Sequence, residues 1–192
     1  MNIFISGGAK NGKSTLAQNL AVELAKGSPN LYYIATMVPT DEEDRERIRR
    51  HQEDREGLGF TTIEKGRDIG EIFEANSPES SISPDGTFLL DSVTALLSNV
   101  MFPPSGEFNE RAGEVVEEDL SSFIEKVKTK GNGNIIFVSD YIYSEAKLFD
   151  SWTERYRKAL AHVDRCLGEK CDGVVEVSAG IATWHKGEEK LK

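Results

Sequence analysis

Strand-length apolar runs recur along the chain at residues 2–6, 31–36, 87–91, 134–140 and 174–177. Several are apolar throughout rather than alternating, the pattern of strands covered by helices on both faces. Residues 60–64 are a weaker candidate of the same kind. Between these runs the period changes to three and four. Leu16, Leu20 and Leu24 share one face of a helix predicted from Ser14 to about Lys26. A second helix is predicted from Thr40 to about Glu56. It opens with Thr40-Asp41-Glu42-Glu43, a capping box in which Thr40 caps and Glu43 reaches back. Leu120, Phe123 and Val127 mark a third. Leu148, Trp152, Tyr156, Leu160, Val163 and Leu167 form the stripe of a long last helix, read as core packing.

The stretches 77–86, 103–113 and 130–134 carry the turn residues and are too short to link domains. Alternating strands and helices imply right-handed crossovers and a mainly parallel sheet. The segment after 174–177 is the place for an antiparallel edge strand. At 192 residues the chain suits a single α/β domain covering residues 1–192.

Composition adds three limits. The 38% hydrophobic and 29% charged content is that of a globular chain. A formal charge of −10 repels a phosphate backbone and argues against nucleic acid as a partner. A small anion then needs a site that is basic against the overall field. No stretch is long and apolar enough for a membrane span, and no basic leader precedes the first strand, so a cytoplasmic protein is expected. Cys166 and Cys171 fit no standard zinc spacing and read as reduced thiols.

The strongest chemical signal is Gly7-Gly8-Ala9-Lys10-Asn11-Gly12-Lys13-Ser14, a full G-x-x-x-x-G-K-[ST] phosphate loop. Glycines let the backbone curl so that its N–H groups meet phosphate oxygens, and the following helix aims its positive end at the same anion. Lys13 is expected at the β- and γ-phosphates and the Ser14 hydroxyl on Mg²⁺. The apolar strand before the loop and the amphipathic helix after it supply the context that the motif needs. Asp91 ends the run Phe88-Leu89-Leu90-Asp91 and is the candidate second Mg²⁺ ligand, with a strand-end cap as the plainer role. The loop does not encode the base, so ATP and GTP are both admitted.

The run 45–55, Arg-Glu-Arg-Ile-Arg-Arg-His-Gln-Glu-Asp-Arg, reads either as a solvated face laced with ion pairs or as something sharper. Arg47, His51 and Arg55 fall at i, i+4 and i+8, two guanidiniums flanking an imidazole, and make a phosphate-sized basic site. A neutral His51 imidazole there is a candidate nucleophile toward an α-phosphate, with Arg47 and Arg55 stabilising the phosphate charge. His162, on the long last helix, and His185, close to the tail, are weaker candidates and are expected in surface or partly buried roles.

Together these pieces resemble the bifunctional adenosylcobinamide kinase/adenosylcobinamide-phosphate guanylyltransferase family of cobalamin synthesis. The resemblance rests on residues 5–14, Tyr33-Ile34-Ala35-Thr36, Arg47-Ile48-Arg49-Arg50-His51 with Arg55, Leu89-Leu90-Asp91-Ser92-Val93-Thr94 with Leu97-Ser98-Asn99, and Ser178-Ala179-Gly180-Ile181. It implies a RecA-like P-loop NTPase fold, a homotrimer, and His51 as the guanylylated nucleophile. It also implies a nucleotide surrounded by the loop, Ala35, Thr36, Met37, Gln52, Glu53, Asp54, Arg55, Glu64 and Asp91. The implied reactions are phosphorylation of adenosylcobinamide by GTP or ATP and transfer of GMP to the product. The chain departs from the family pattern at Asp140-Tyr141-Ile142-Tyr143-Ser144-Glu145, where Asn-Glu is usual, at Glu56 for a usual Pro, and at Phe60 for Trp. Two other readings stay open: a kinase of another small hydroxyl compound without guanylyl transfer, and a regulatory nucleotide-binding module without turnover.

Overall fold

All six candidate strands form, together with a seventh. The computed structural model describes residues 1–74, 82–143, 147 and 149–191. In chain order the elements are β1 (Asn2–Gly7), α1 (Lys13–Ala25), β2 (Leu31–Ala35), α2 (Glu42–Asp54), β3 (Thr61–Glu64), β4 (Thr87–Asp91), α3 (Val93–Met101), α4 (Ala112–Lys130), β5 (Asn134–Asp140), α5 (Ser151–Lys170), β6 (Gly173–Ser178) and β7 (Ile181–Lys186). Single 3₁₀ turns occupy Ile69–Phe73 and Glu188–Leu191.

The strands make one sheet in the order β3-β2-β4-β5-β1-β6-β7, parallel except for the β6–β7 hairpin at one edge. Because side chains alternate along a strand, the apolar runs feed two cores at once. Ile3, Ile5, Leu89, Ile136 and Val138 pack with Leu20 of α1 on one face. Phe4, Phe88, Leu90, Ile135 and Phe137 pack with α3, α4 and α5 on the other. Phe88 is the centre of that second core, stacked on Tyr32 at 5.0 Å and edge-on to Phe73 and Phe123.

The helices differ from expectation in four instructive places. The α2 cap is Asp41 rather than Thr40: its carboxylate accepts from the Asp44 N–H at 2.9 Å, and Asp44 in turn accepts from the Thr40 N–H and hydroxyl. An aspartate caps as well as a threonine, and the shift leaves Glu42, Glu43 and Asp44 in the first turn against the helix dipole. Helix α3 was not predicted, because Val93 and Thr94 extend the β-branched, strand-like look of 87–91. The Ser92 hydroxyl, accepting from Ala95 N–H, starts the helix instead. The turn Ile69–Phe73 is built by tertiary contact: the Asp119 carboxylate of α4 accepts from the N–H groups of Ile69 and Gly70. Trp152, read as core, is 51% exposed and lies edge-on against Phe108. Leu148 of the same stripe lies outside the described residues. Among the described residues no helix is long and apolar enough to cross a membrane.

Candidate active site

Parallel strands leave all their carboxyl ends on one rim of the sheet, where open α/β folds place their ligands. The phosphate loop connects β1 to α1 on that rim. Gly12, at φ 87°, caps the helix in the left-handed region that glycine enters freely. Gly7 is needed for a different reason: a Cβ there would lie 2.3 Å from the Val177 carbonyl oxygen of β6. Lys13 is buried at 5% exposure, and its ammonium donates to the Gly8 carbonyl at 2.7 Å and pairs with Asp140 Oδ1 at 2.6 Å. Ala9 and Lys10 are exposed at the tip, and Ser14 sits half-buried in the first turn of α1.

Asp140 ends β5, beside Gly7 in the sheet register, and faces the α1 side as Ile136 and Val138 do. Asp91 ends β4 on the same face, one strand farther along. It accepts a hydrogen bond from the Tyr33 hydroxyl at 3.0 Å. Burial first, and the Asp91 charge second, hold the Tyr33 phenol well above its ordinary pKa, so it stays a donor. The Arg55 guanidinium lies 3.6 Å over the Tyr33 ring and donates to the His51 carbonyl at 2.7 Å. This chain of contacts ties β4, β2 and the last turn of α2 together. Phe60 packs edge-on to Tyr33, with ring centroids 5.9 Å apart.

A cleft of about 370 Å³ opens above these groups. It brings together Ala35, Met37, His51, Gln52, Arg55, Glu64 and Asp91 from the predicted set. Among the described residues the His51 ring has no hydrogen-bond or ion-pair partner. The cleft also takes in residues that the sequence reading missed: Tyr33, Arg45, Ile48 and Arg49.

None of the phosphate-loop residues 7–14 lines this cleft, and three further predicted residues are placed otherwise. Arg47 does not line the cleft; it is half-exposed and pairs with Glu43 at 3.4 Å. It precedes Ile48 and so points about 100° round the helix from it. Thr36 is fully buried, and its hydroxyl donates to the Ser92 carbonyl and accepts from the Ser92 N–H, both at 2.7 Å. Glu53 lines a second, more open hollow with Glu56 and Phe60 and pairs with Arg49. The side chain of Asp54 lies outside the described residues, as do Ser144 and Glu145 of the departing stretch.

The oxygen donors on this rim suit a hard divalent cation. Ser14 carries a hydroxyl in the phosphate loop, and Asp91 and Asp140 carry carboxylates on adjacent strands and one face, Asp91 level with Val138 and Asp140 two residues beyond it. No thiol or imidazole competes with them in the phosphate loop, so the set fits Mg²⁺ better than a thiophilic metal.

Behind β5, on the opposite face, Asp164 of α5 is 4% exposed and accepts from the Tyr143 hydroxyl at 3.0 Å. Burial, helped by the nearby Asp140 charge and opposed by the Ser139 and Tyr143 hydroxyls, pushes its pKa up to about 7.

A family profile described as cobinamide kinase / cobinamide phosphate guanyltransferase matches residues 3–184. The chain is similar to the bifunctional adenosylcobalamin biosynthesis protein CobU of Salmonella typhimurium, 32% identical over 186 residues, covering 94% of this chain and 97% of that protein. It is also similar to the bifunctional adenosylcobalamin biosynthesis protein CobP of Pseudomonas aeruginosa, 27% identical over 188 residues, with 98% and 99% covered. Among solved structures, the ATP synthase subunit NeqB from Nanoarcheaum equitans superposes with a TM-score of 0.53 at 14% identity, covering 92% of this chain and 45% of that one. That likeness is of the P-loop fold alone.

Proposed function

The chain belongs to the cobinamide kinase / cobinamide phosphate guanyltransferase family, and from that premise we propose how its own residues divide the two reactions. It is a transferase of cobalamin biosynthesis, kinase and guanylyltransferase in one P-loop domain. For the kinase reaction, the hydroxyl oxygen of adenosylcobinamide attacks the γ-phosphorus of GTP or ATP. The bond to the β-phosphate oxygen breaks, the nucleoside diphosphate leaves, and the hydroxyl proton passes to water. Lys13 neutralises charge on the transferring group once the phosphates draw it from Asp140. Ser14 and Asp91 would hold Mg²⁺, which supplies further charge neutralisation across the β- and γ-phosphates.

For guanylyl transfer, a His51 ring nitrogen attacks the α-phosphorus of GTP. A P–N bond forms, the α–β bridge breaks, and pyrophosphate leaves. The phosphate oxygen of cobinamide phosphate then displaces His51 and takes the GMP. Arg55 orients the last turn of α2 through the His51 carbonyl. Arg45 and Arg49, rather than Arg47, are the cleft's further cations for the nucleotide phosphates.

The observation that carries this reading is the cleft itself, which gathers the buried Arg55 guanidinium, Asp91 and a His51 ring that has no partner among the described residues. Incubation with Mg²⁺ and α-labelled GTP, followed by peptide mass analysis, should find one GMP adduct, alkali-stable and acid-labile, on His51. His51→Ala should lose the adduct and keep most of the kinase rate. Equal loss of both activities would make His51 structural. The homotrimer and a cytoplasmic location, where nucleoside triphosphates are made, belong to the same proposal; sedimentation analysis tests the first.

A further inference from the structure

The helical layer opposite α1 holds a cluster that neither reaction uses. His162 and Cys166 stand one turn apart on α5, and Glu117 of α4 faces them. His162 Nε2 lies 2.7 Å from Glu117 Oε2 and 4.0 Å from Cys166 Sγ. The three ligand atoms all fall within 4.8 Å of one another, and each residue is half-buried. The sequence concealed this, because the third member comes from another helix, 45 residues before His162.

We propose that Glu117, His162 and Cys166 form a binding site for a zinc-class divalent ion that clamps α4 to α5. A four-coordinate zinc ion keeps its nitrogen, oxygen and sulfur ligands about 3.3–3.6 Å apart, so small side-chain rotations suffice to close the shell. The imidazole–thiolate–carboxylate set is borderline-soft, unlike the oxygen donors beside the phosphate loop, and selects against Mg²⁺ and Ca²⁺. Partial exposure leaves the fourth position to water. Binding releases the Cys166 thiol proton to solvent.

The outer contacts are already in place. Lys170 donates to Glu117 Oε1 at 3.3 Å, the oxygen that His162 does not contact, and to Ser121 Oγ at 2.6 Å. This orients the carboxylate in the way that supporting groups around metal ligands do. Arg165, 3.4 Å from His162 Nδ1, is exposed and free to turn toward water. The sheet stands between this site and α1, so the two cation sites are separate.

The test uses Co²⁺ as a visible probe. The full chain is stripped with a chelator and titrated with Co²⁺ in excess Mg²⁺. One equivalent should develop a thiolate-to-cobalt charge-transfer band that Zn²⁺ abolishes. Zn²⁺ in hundredfold excess over its Kd should raise the thermal midpoint by about 5–10 °C. Cys166→Ser should lose the band and the thermal response while keeping the kinase rate, and Glu117→Gln should weaken the metal at least tenfold. A band absent from the unaltered chain, or one that survives Cys166→Ser, overturns the proposal.

Discussion

At the scale of single residues, Asp140 holds the Lys13 ammonium of the phosphate loop in an ion pair. In the proposed mechanism Lys13 is the charged donor to the transferring phosphoryl group, so Lys13→Ala should lower kcat for the kinase reaction ~10²–10³-fold, about 3–4 kcal/mol. A near-normal rate would take Lys13 out of the chemistry. Asp140→Asn acts in the opposite sense, because incoming phosphates must displace the carboxylate. The pair is partly exposed on the Asp140 side, so its worth is modest. Nucleotide affinity measured without Mg²⁺ should tighten roughly fivefold, about 1 kcal/mol; unchanged or weaker binding would refute the competition. The sequence marks Lys13, Ser14, Asp91, His51 and Arg55 as candidates, since each belongs to a local motif. It could not reveal Asp140 against Lys13, which depends on β5 lying beside β1. Arg47 misled for a helical reason: a stripe at i, i+4, i+8 drifts off one face, whereas Arg45, Ile48, Arg49, Gln52 and Arg55 follow the true turn.

Between elements, the contact of α5 with β5 carries a buried acid whose protonation couples to stability. Asp164 has a folded pKa near 7 against an ordinary 3.8. The folded state therefore binds a proton that the unfolded state releases, and this contribution to stability falls as pH rises from about 4 through 7. Tyr143, Asp140 and Ser139 are the groups it meets. Asp164→Asn should flatten that slope and gain on the order of 1–3 kcal/mol over the parent at pH 8, read from denaturant melts at several pH values. Parallel pH profiles would mean that the carboxyl titrates normally. The strands around this contact were legible because burial on both faces makes them apolar throughout. Helix α3 and the Ile69–Phe73 turn were not, since a β-branched start hides the first and a single distant carboxylate, Asp119, makes the second.

Across the whole molecule the sheet separates two tasks. One face and rim carry the phosphate loop, Asp91 and the cleft; the other carries the aromatic core around Phe88. Phe88→Ala should cost about 3–5 kcal/mol in denaturant melts. The nucleotide affinity of the fraction still folded should stay within about twofold, as distant sites contribute independently. Affinity lost in proportion to stability would mean that the two faces are one cooperative device. The sheet order has a consequence in time. Strand β1 pairs with β5 and β6, so Asn2 meets Ile135 and Ile3 meets Gly173. During synthesis the phosphate loop therefore emerges with neither neighbour available, and at ordinary translation speeds it waits roughly 10 s for β5. Until then Lys13 has no Asp140, Gly7 has no wall at Val177, and the nascent chain holds no finished anion trap for the nucleotides around the ribosome.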